Sequence, residues 1–508
     1  MRQSYIESAT SMISLPKLRL KALKDKSGNN AFPMSHMGVY IADWKPISTE
    51  ESDIMNICAK IALNFMLLAF LYPTVSPAQP FAEWDIGYQG SIETTGRVFI
   101  DSGAYPRQSN RDLSVKFQAT LYGDGPNDNG FAITPHFRLD KSDSLGTRAD
   151  LREAYYYKHG TVGELDLELR VGVDQIFWGA AESTNPVNII NQTDLQDDHE
   201  GQSKLGQPMV RGTLSGNWGA LDLFILPYHR PRIYPGVGGR FRSKLPVARN
   251  SEAVLYEHSS GRRHVDFAAR YGHSVGPVDF GVSIFDGTSR EPDLIPSYKT
   301  HPTVVPKSFT CSLISGEEMD TDGDTMDTDG DTMGTGAQPS ALVQKYNQIR
   351  QVGLDMQLVL DAFIGKAEVI RRTGFLGKGC SSREDRAFVV GGEYSLYGIF
   401  GSGADITFFA EWSQDDRRKH SSHIFQNDLF LAARYAFNDV EDTDLTLAFL
   451  QDLDYSTTNA RLEFNRRVSD SVQLNVTAFK FLEVDPDDTP AMQISEDNHI
   501  TVTFKYSF

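Results

Sequence analysis

The sequence predicts an all-β protein, a closed antiparallel transmembrane β-barrel of about 18 strands, with 16 as the acceptable neighbouring count. Three observations carry that expectation. Nearly every segment after Trp84 alternates apolar and polar residues with period two, the pattern of a strand whose successive side chains meet two different environments. The polar faces hold charges such as Arg170, Arg270, Arg434, Glu411, Arg461 and Glu463, which a dry sandwich core would not bury and a wet lumen accommodates. The connections alternate short and long, as an outer-membrane barrel with tight periplasmic turns and extended extracellular loops requires.

From the N-terminus, residues 1–54 show no apolar periodicity and read as a spurious or disordered extension, with translation starting at Met55. Residues 55–78 read as a signal peptide. Lys60 supplies its positive charge, the apolar run from Ile61 to Tyr72 its core, and Ser76-Pro77-Ala78 its cleavage site, leaving Gln79 first. That run is too short to cross a ~30 Å hydrocarbon core as a helix. Few residues separate Gln79 from Trp84, so no plug domain is expected ahead of the barrel, which occupies 79–508.

Within the barrel, Leu113, Val115, Phe117, Ala119 and Leu121 oppose Ser114, Lys116, Gln118 and Thr120, and Val265, Phe267, Ala269 and Tyr271 oppose His264, Asp266 and Arg270. Such runs last about 9 to 13 residues, enough to cross a bilayer at ~45° tilt and longer than the ~5 to 6 usual in soluble sheets. Short connections fall at His159 to Gly163, Ser215 to Gly219, Ser274 to Pro277, Asp361 to Phe363, Asn438 to Asp442 and Ser469 to Ser471. Long ones fall at Phe177 to Gln207, Arg230 to Arg262, Gly287 to Lys345, Thr373 to Asp385 and Val484 to Asn498. Tyr155, Tyr156, Tyr157, Trp412, Tyr435 and Tyr506 are expected in interfacial girdles. The last strand sets Ile500, Val502, Phe504, Tyr506 and Phe508 against Thr501, Thr503, Lys505 and Ser507. Phe508 is expected on the lipid face as the signal read by barrel-assembly machinery.

The formal net charge of −18 argues against nucleic acid as a partner. Function is expected in the connection after the fifth strand, which carries Trp178, Glu182, Asp194, Asp197, Asp198, His199 and Glu200. Folded inward, it would constrict a pore, its acids facing wall arginines Arg138, Arg170, Arg211 and Arg270 across a transverse field that favours polar solutes. Cys311 and Cys380 are candidates for a loop disulfide, with two free thiols as the alternative. The repeated acidic segment within 316–340 is expected to be a disordered loop insert. Its Asp320, Asp322, Asp324, Asp327, Asp329 and Asp331 form a weak calcium candidate, because Gly323 falls fourth and no Glu closes an EF-hand loop. His229, His258, His264 and His273 could bind a metal but suit solvated surfaces better. No G-x-S-x-G elbow marks a hydrolase. No cofactor and no catalysis are expected.

The stretch Leu169-Arg170-Val171-Gly172-Val173-Asp174-Gln175-Ile176-Phe177-Trp178-Gly179, with Asn185-Pro186 and Asp194-Leu195 after it, resembles the arginine-glycine strand and tryptophan-glycine loop of a proteobacterial family of porin-like outer-membrane proteins of unknown function. Val352-Gly353-Leu354-Asp355-Met356-Gln357 and Lys366-Ala367-Glu368 are similar to it too. Alginate-export and other substrate-specific porins share this architecture. The resemblance implies a channel in the Gram-negative outer membrane, in contact with lipid and lipopolysaccharide and admissible as a homotrimer. The expected activity is passive diffusion of small polar solutes. The alternatives are a substrate-specific exporter or importer, a hydrolase, and a plugged structural barrel.

Overall fold

The computed structural model describes residues 83–248, 254–297, 339–376, 382–417 and 426–508. Residues 1–54, the signal-peptide segment, Cys311, Cys380 and the acidic repeat lie outside the described residues.

Eighteen strands form one closed antiparallel ring. In chain order these are β1 (Asp85–Phe99), β2 (Arg111–Gly125), β3 (Asn129–Asp140), β4 (Arg148–Val162), β5 (Leu165–Asp174), β6 (Gln207–Gly216), β7 (Gly219–Leu226), β9 (Asp266–Val275) and β10 (Val278–Thr288). The second half comprises β13 (Gln348–Leu360), β14 (Phe363–Leu376), β15 (Ser382–Leu396), β16 (Asp405–Asp415), β17 (Asn427–Ala436), β18 (Asp444–Asp452), β19 (Thr458–Ser469), β20 (Val472–Glu483) and β21 (His499–Ser507). Three further strands, β8 (Leu255–Tyr256), β11 (Asp293–Ser297) and β12 (Ala341–Tyr346), make a small sheet inside the connections. Ile295 and Val343 form its apolar centre.

Each barrel strand pairs with its neighbour in sequence order, and β21 pairs with β1 from Ser91↔Ser507 to Phe99↔His499. The even count follows from this closure, since antiparallel strands return to one end only in pairs. The six short turns named above and both ends of the ring lie at one rim, which we term the turn end, and the five long connections named above lie at the loop end, together with the short β18–β19 link. The β2–β3 turn has Asn127 at φ 75° and Asp128 at φ 54°. Asn and Asp tolerate this left-handed pair of conformations, whose twist matches the flanking strands.

The two faces separate as the alternation predicts. On β13, Val352, Leu354 and Met356 point outward and are exposed, while Ile349, Gln351 and Asp355 are buried on the inner face. Phe504 and Tyr506 on β21 and Phe408 and Trp412 on β16 extend the outer apolar belt. One departure from strict alternation occurs in β3 and β4. Pro135 has no N–H for the ladder, and a register shift between Thr134 and Pro135 leaves Arg152 as the extra residue. Arg152 and Glu153 both turn inward as a result, the first to Asp194 and the second to Thr134.

That inward turn corrects the girdle expectation for two tyrosines. Tyr155 lies beneath the guanidinium of Arg170, and Tyr157 bonds Asp124 on the inner face. Only Tyr156 of the three is outward and exposed, because a period of two cannot place consecutive side chains on one face.

At the turn-end rim the Phe508 backbone exchanges both hydrogen bonds with Gly90 (2.9 and 3.0 Å). Its ring lies against Gly90, where an added Cβ would come within 2.6 Å of it, and it stacks near Phe117 and Tyr506. The glycine leaves room for the aromatic at the seam.

Candidate functional site at the loop end of the lumen

The β5–β6 connection, residues 175–206, crosses the inside of the barrel. Its first half is held by burial. Trp178, Val187, Ile189 and Ile190 pack against Phe224, Ala268, Phe285, Ile349, Ile370 and Ala387, which project inward from β7, β9, β10, β13, β14 and β15. Fully burying each large apolar side chain contributes roughly 1.5–3 kcal/mol. These wall residues are apolar on a face that is otherwise polar, a signal available in the sequence.

Two wall carboxylates then take the loop backbone. Glu368 accepts from the N–H groups of Ala180 (2.7 Å) and Ala181 (3.0 Å) and from the Asn185 side chain (3.0 Å). Glu411 accepts from the N–H groups of Glu182 (2.9 Å) and Ser183 (2.7 Å) and from the Ser183 hydroxyl (2.6 Å). Lys366 reaches Glu182 at 2.5 Å. Strands β14 and β16 lie well around the ring from β5, so these bonds tie the loop to a distant wall.

The second half meets the wall near its origin. Asp194, wholly buried, pairs with Arg148 and with Arg152 (2.8 Å). Asp197 lies 3.4 Å from Arg138, 3.6 Å from Arg152 and 3.8 Å from Lys116. Burial pushes its carboxyl up, but Lys116, His136, Arg152 and Arg138 outweigh burial and hold it well below the usual carboxylate range. Asp198 caps its own turn through the N–H groups of Glu200 and Gln202. Glu200 pairs with Arg461 on β19.

Of the four wall arginines singled out by alternation, all face inward and only Arg138 meets this loop. Arg170 pairs with Asp174 (2.9 Å), Arg211 with Asp222 (2.8 Å) and Arg270 with Asp355 (2.6 Å), each a carboxylate of the wall itself. The loop acids sit in contact with their cations rather than across an open gap. Arg148, Arg152, Lys116, Lys366 and Glu368 were not singled out in the sequence as partners. The inward alternation of Arg148, Asp150 and Arg152 on β4 was a legible signal for the first two.

The β7–β9 connection covers the same end. Arg230 pairs with Asp150 at 2.6 Å, Asp143 accepts from the Gly236 N–H at 2.5 Å, and Arg240 pairs with Asp497 at 2.5 Å. His199 stacks on Phe241 with ring centres 3.8 Å apart. Between these loops and strands β1–β3 and β19–β21 remains a cavity of about 230 Å³.

Among the described residues, the side chains grouped closely enough to hold a metal are Asp385, Asp415 and Asp416. Arg372 and Arg417 already pair with Asp385 and Asp415, which explains this cluster as an ion-pair network. Two histidines of the β7–β9 connection are engaged elsewhere: His229 is buried against Tyr346 and Tyr256, and His264 bonds Asp266 at 2.8 Å.

No curated protein matches the chain. Among solved structures it is similar to two mutants of the Rh. blastica porin, each 11% identical with a TM-score of 0.38, and to a triple mutant of the Rhodopseudomonas blastica porin, 10% identical with a TM-score of 0.36. In each case the match covers 84% of this chain and all of the other. A family described as protein of unknown function (DUF1302) matches residues 78–357. That span is more than half of the sequence, and the chain belongs to the DUF1302 family.

Proposed function

We propose that this protein is an outer-membrane channel through which small polar solutes diffuse past a constriction formed by residues 175–206. One observation carries the reading: a closed barrel with an apolar outer belt and a charged inner face holds a loop across its lumen by carboxylate clamps at Glu368 and Glu411. An apolar belt on the outside suits lipid, and a charged inside suits water. A loop fixed at both walls narrows the passage to a defined width. In this reading the turn end faces the periplasm and the loop end the outside, where lipopolysaccharide surrounds the rim. Phe508 at the turn-end seam acts as the assembly signal. The reading requires neither catalysis nor a cofactor. A homotrimer is compatible with it.

Purified protein in a planar lipid bilayer tests this. Discrete ohmic conductance steps in potassium chloride are expected, and a preparation that is folded yet electrically silent would overturn the proposal in favour of a plugged barrel.

A further inference from the structure

The loop-end cavity contains one cation whose charge is not matched in the way its neighbours' charges are. Lys116 has Glu93 at 2.6 Å, Arg138 has Asp140 at 2.9 Å, Arg461 has Glu463 at 2.9 Å and Arg240 has Asp497 at 2.5 Å. Arg97, near the loop end of β1, donates from Nε to the Thr501 hydroxyl at 2.9 Å. Among the described residues no carboxylate lies within ion-pair distance of it. Its cross-strand partner in the ladder is Asp112. One Asp112 carboxylate oxygen is buried and takes no hydrogen bond, and Asp112, Asp198 and Glu200 act on the arginine only from beyond ion-pair distance. The two terminal amino groups of Arg97 form a planar fork that fits the two oxygens of a carboxylate.

Beside this fork lies an aromatic wall. The Arg97 guanidinium stands 5.1 Å from the centre of the Phe241 ring. Phe241 stacks with His199, and His499 lies edge-on to Phe241 at 5.3 Å. Burial, followed by Arg97, His499 and Arg461, holds His199 well below its ordinary titration range, and its ring lines the cavity beside Phe241. The fold maintains this wall at a cost. Phe241 sits at φ 56°, a left-handed conformation that a bulky side chain rarely adopts. Its N–H is held at 2.7 Å by Asp497, the same carboxylate that grips Arg240. Strain maintained by a buried clamp is characteristic of positions that present a side chain to a ligand.

We infer that the loop-end cavity binds a small carboxylate with a flat apolar body, its carboxylate on Arg97 and its body against Phe241 and His199. The inference deepens the channel reading by naming the solute class that pauses at the constriction. It rests on that reading only for the route by which the solute arrives. A cavity of about 230 Å³ accommodates a single-ring acid, and face-to-edge aromatic contact adds to what the charge supplies.

Equilibrium dialysis of radiolabelled benzoate against the detergent-solubilised full-length protein tests binding without relying on conductance. Saturable binding is expected, with acetate and benzyl alcohol competing at least about tenfold more weakly, because each lacks one half of the recognition. Arg97→Gln should weaken benzoate by at least about tenfold, and Arg97→Lys by less. Phe241→Asn, which suits the left-handed backbone and removes the ring, should weaken benzoate while leaving the poor competition by acetate unchanged. Absence of saturable binding, equal competition by acetate, or undiminished benzoate binding in Arg97→Gln would overturn the inference. If Arg97→Gln does not fold, as read by heat-modifiable migration on a gel, the Phe241→Asn result decides, and unchanged benzoate binding there is fatal. Binding in a protein that conducts no current would sink the channel reading and leave the site standing.

Discussion

Single carboxylates decide where the crossing loop sits. Glu411 accepts three hydrogen bonds from Glu182 and Ser183, and bonds to a charged group contribute about 1.5–3 kcal/mol each. Glu411→Ala leaves those donors unsatisfied, so single-channel recordings should show a larger and noisier open current than the parent. Asp197 acts at the other wall and gives a pH dependence of known sign. Its folded-state pKa is depressed, so its contribution is present above the ordinary aspartate value of about 3.9 and disappears as pH falls through the lower folded value. The constriction current is expected to stay constant from pH 7 to about 5, with loosening confined to strongly acidic solution. Asp197→Asn should remove that acid transition and lower stability by up to about 3 kcal/mol, since cations on three strands lose their shared partner. Residue type alone did not identify this partnership. Alternation placed Arg138 and Arg170 equally on the inner face, but Asp174 lies beside Arg170 at 2.9 Å and Asp197 beside Arg138 at 3.4 Å.

At the scale of elements, the loop is built in two parts with different physics. Residues around Trp178 sink into a dry cluster against inner-wall side chains of β7, β9, β10, β13, β14 and β15, whereas residues 194–200 are held by charge. Trp178 is 3% exposed and meets Phe224 edge-on at 5.7 Å. Trp178→Ala should therefore cost about 3–5 kcal/mol of loop anchoring. Limited proteolysis should show new cleavage within 175–206 while the barrel itself stays resistant. The strands were legible individually because period two follows from backbone geometry. The β3–β4 bulge was not, since Pro135 announces a break in the ladder without saying that Arg152 and Glu153 will share one face. The inward turn of Tyr155 and Tyr157 follows from the same register.

The whole ring depends on its seam. Phe508 packs over Gly90 at the junction of β21 with β1, so Gly90→Val should push the terminal ring away. Deleting Phe508 should impair assembly more than conductance. Both effects can be read as surface-exposed, heat-modifiable protein in cells beside the single-channel current of whatever barrel forms; normal surface levels of the Phe508 deletion would contradict the role proposed for it. The sequence by itself determined the closed barrel, a count of about 18 strands, the inner and outer faces outside the β3–β4 bulge and the end that carries the long connections. Each of these follows from period-two alternation and from the spacing of turns, which are local properties of the chain. Only the tertiary structure decided which carboxylates clamp the crossing loop, which cations its acids neutralise and that Arg97 faces the cavity beside Phe241. Those pairings join residues as distant as Ser183 and Glu411 or Glu200 and Arg461. No local period encodes them, because they depend on the path a long loop takes through the lumen and on the barrel closing around it.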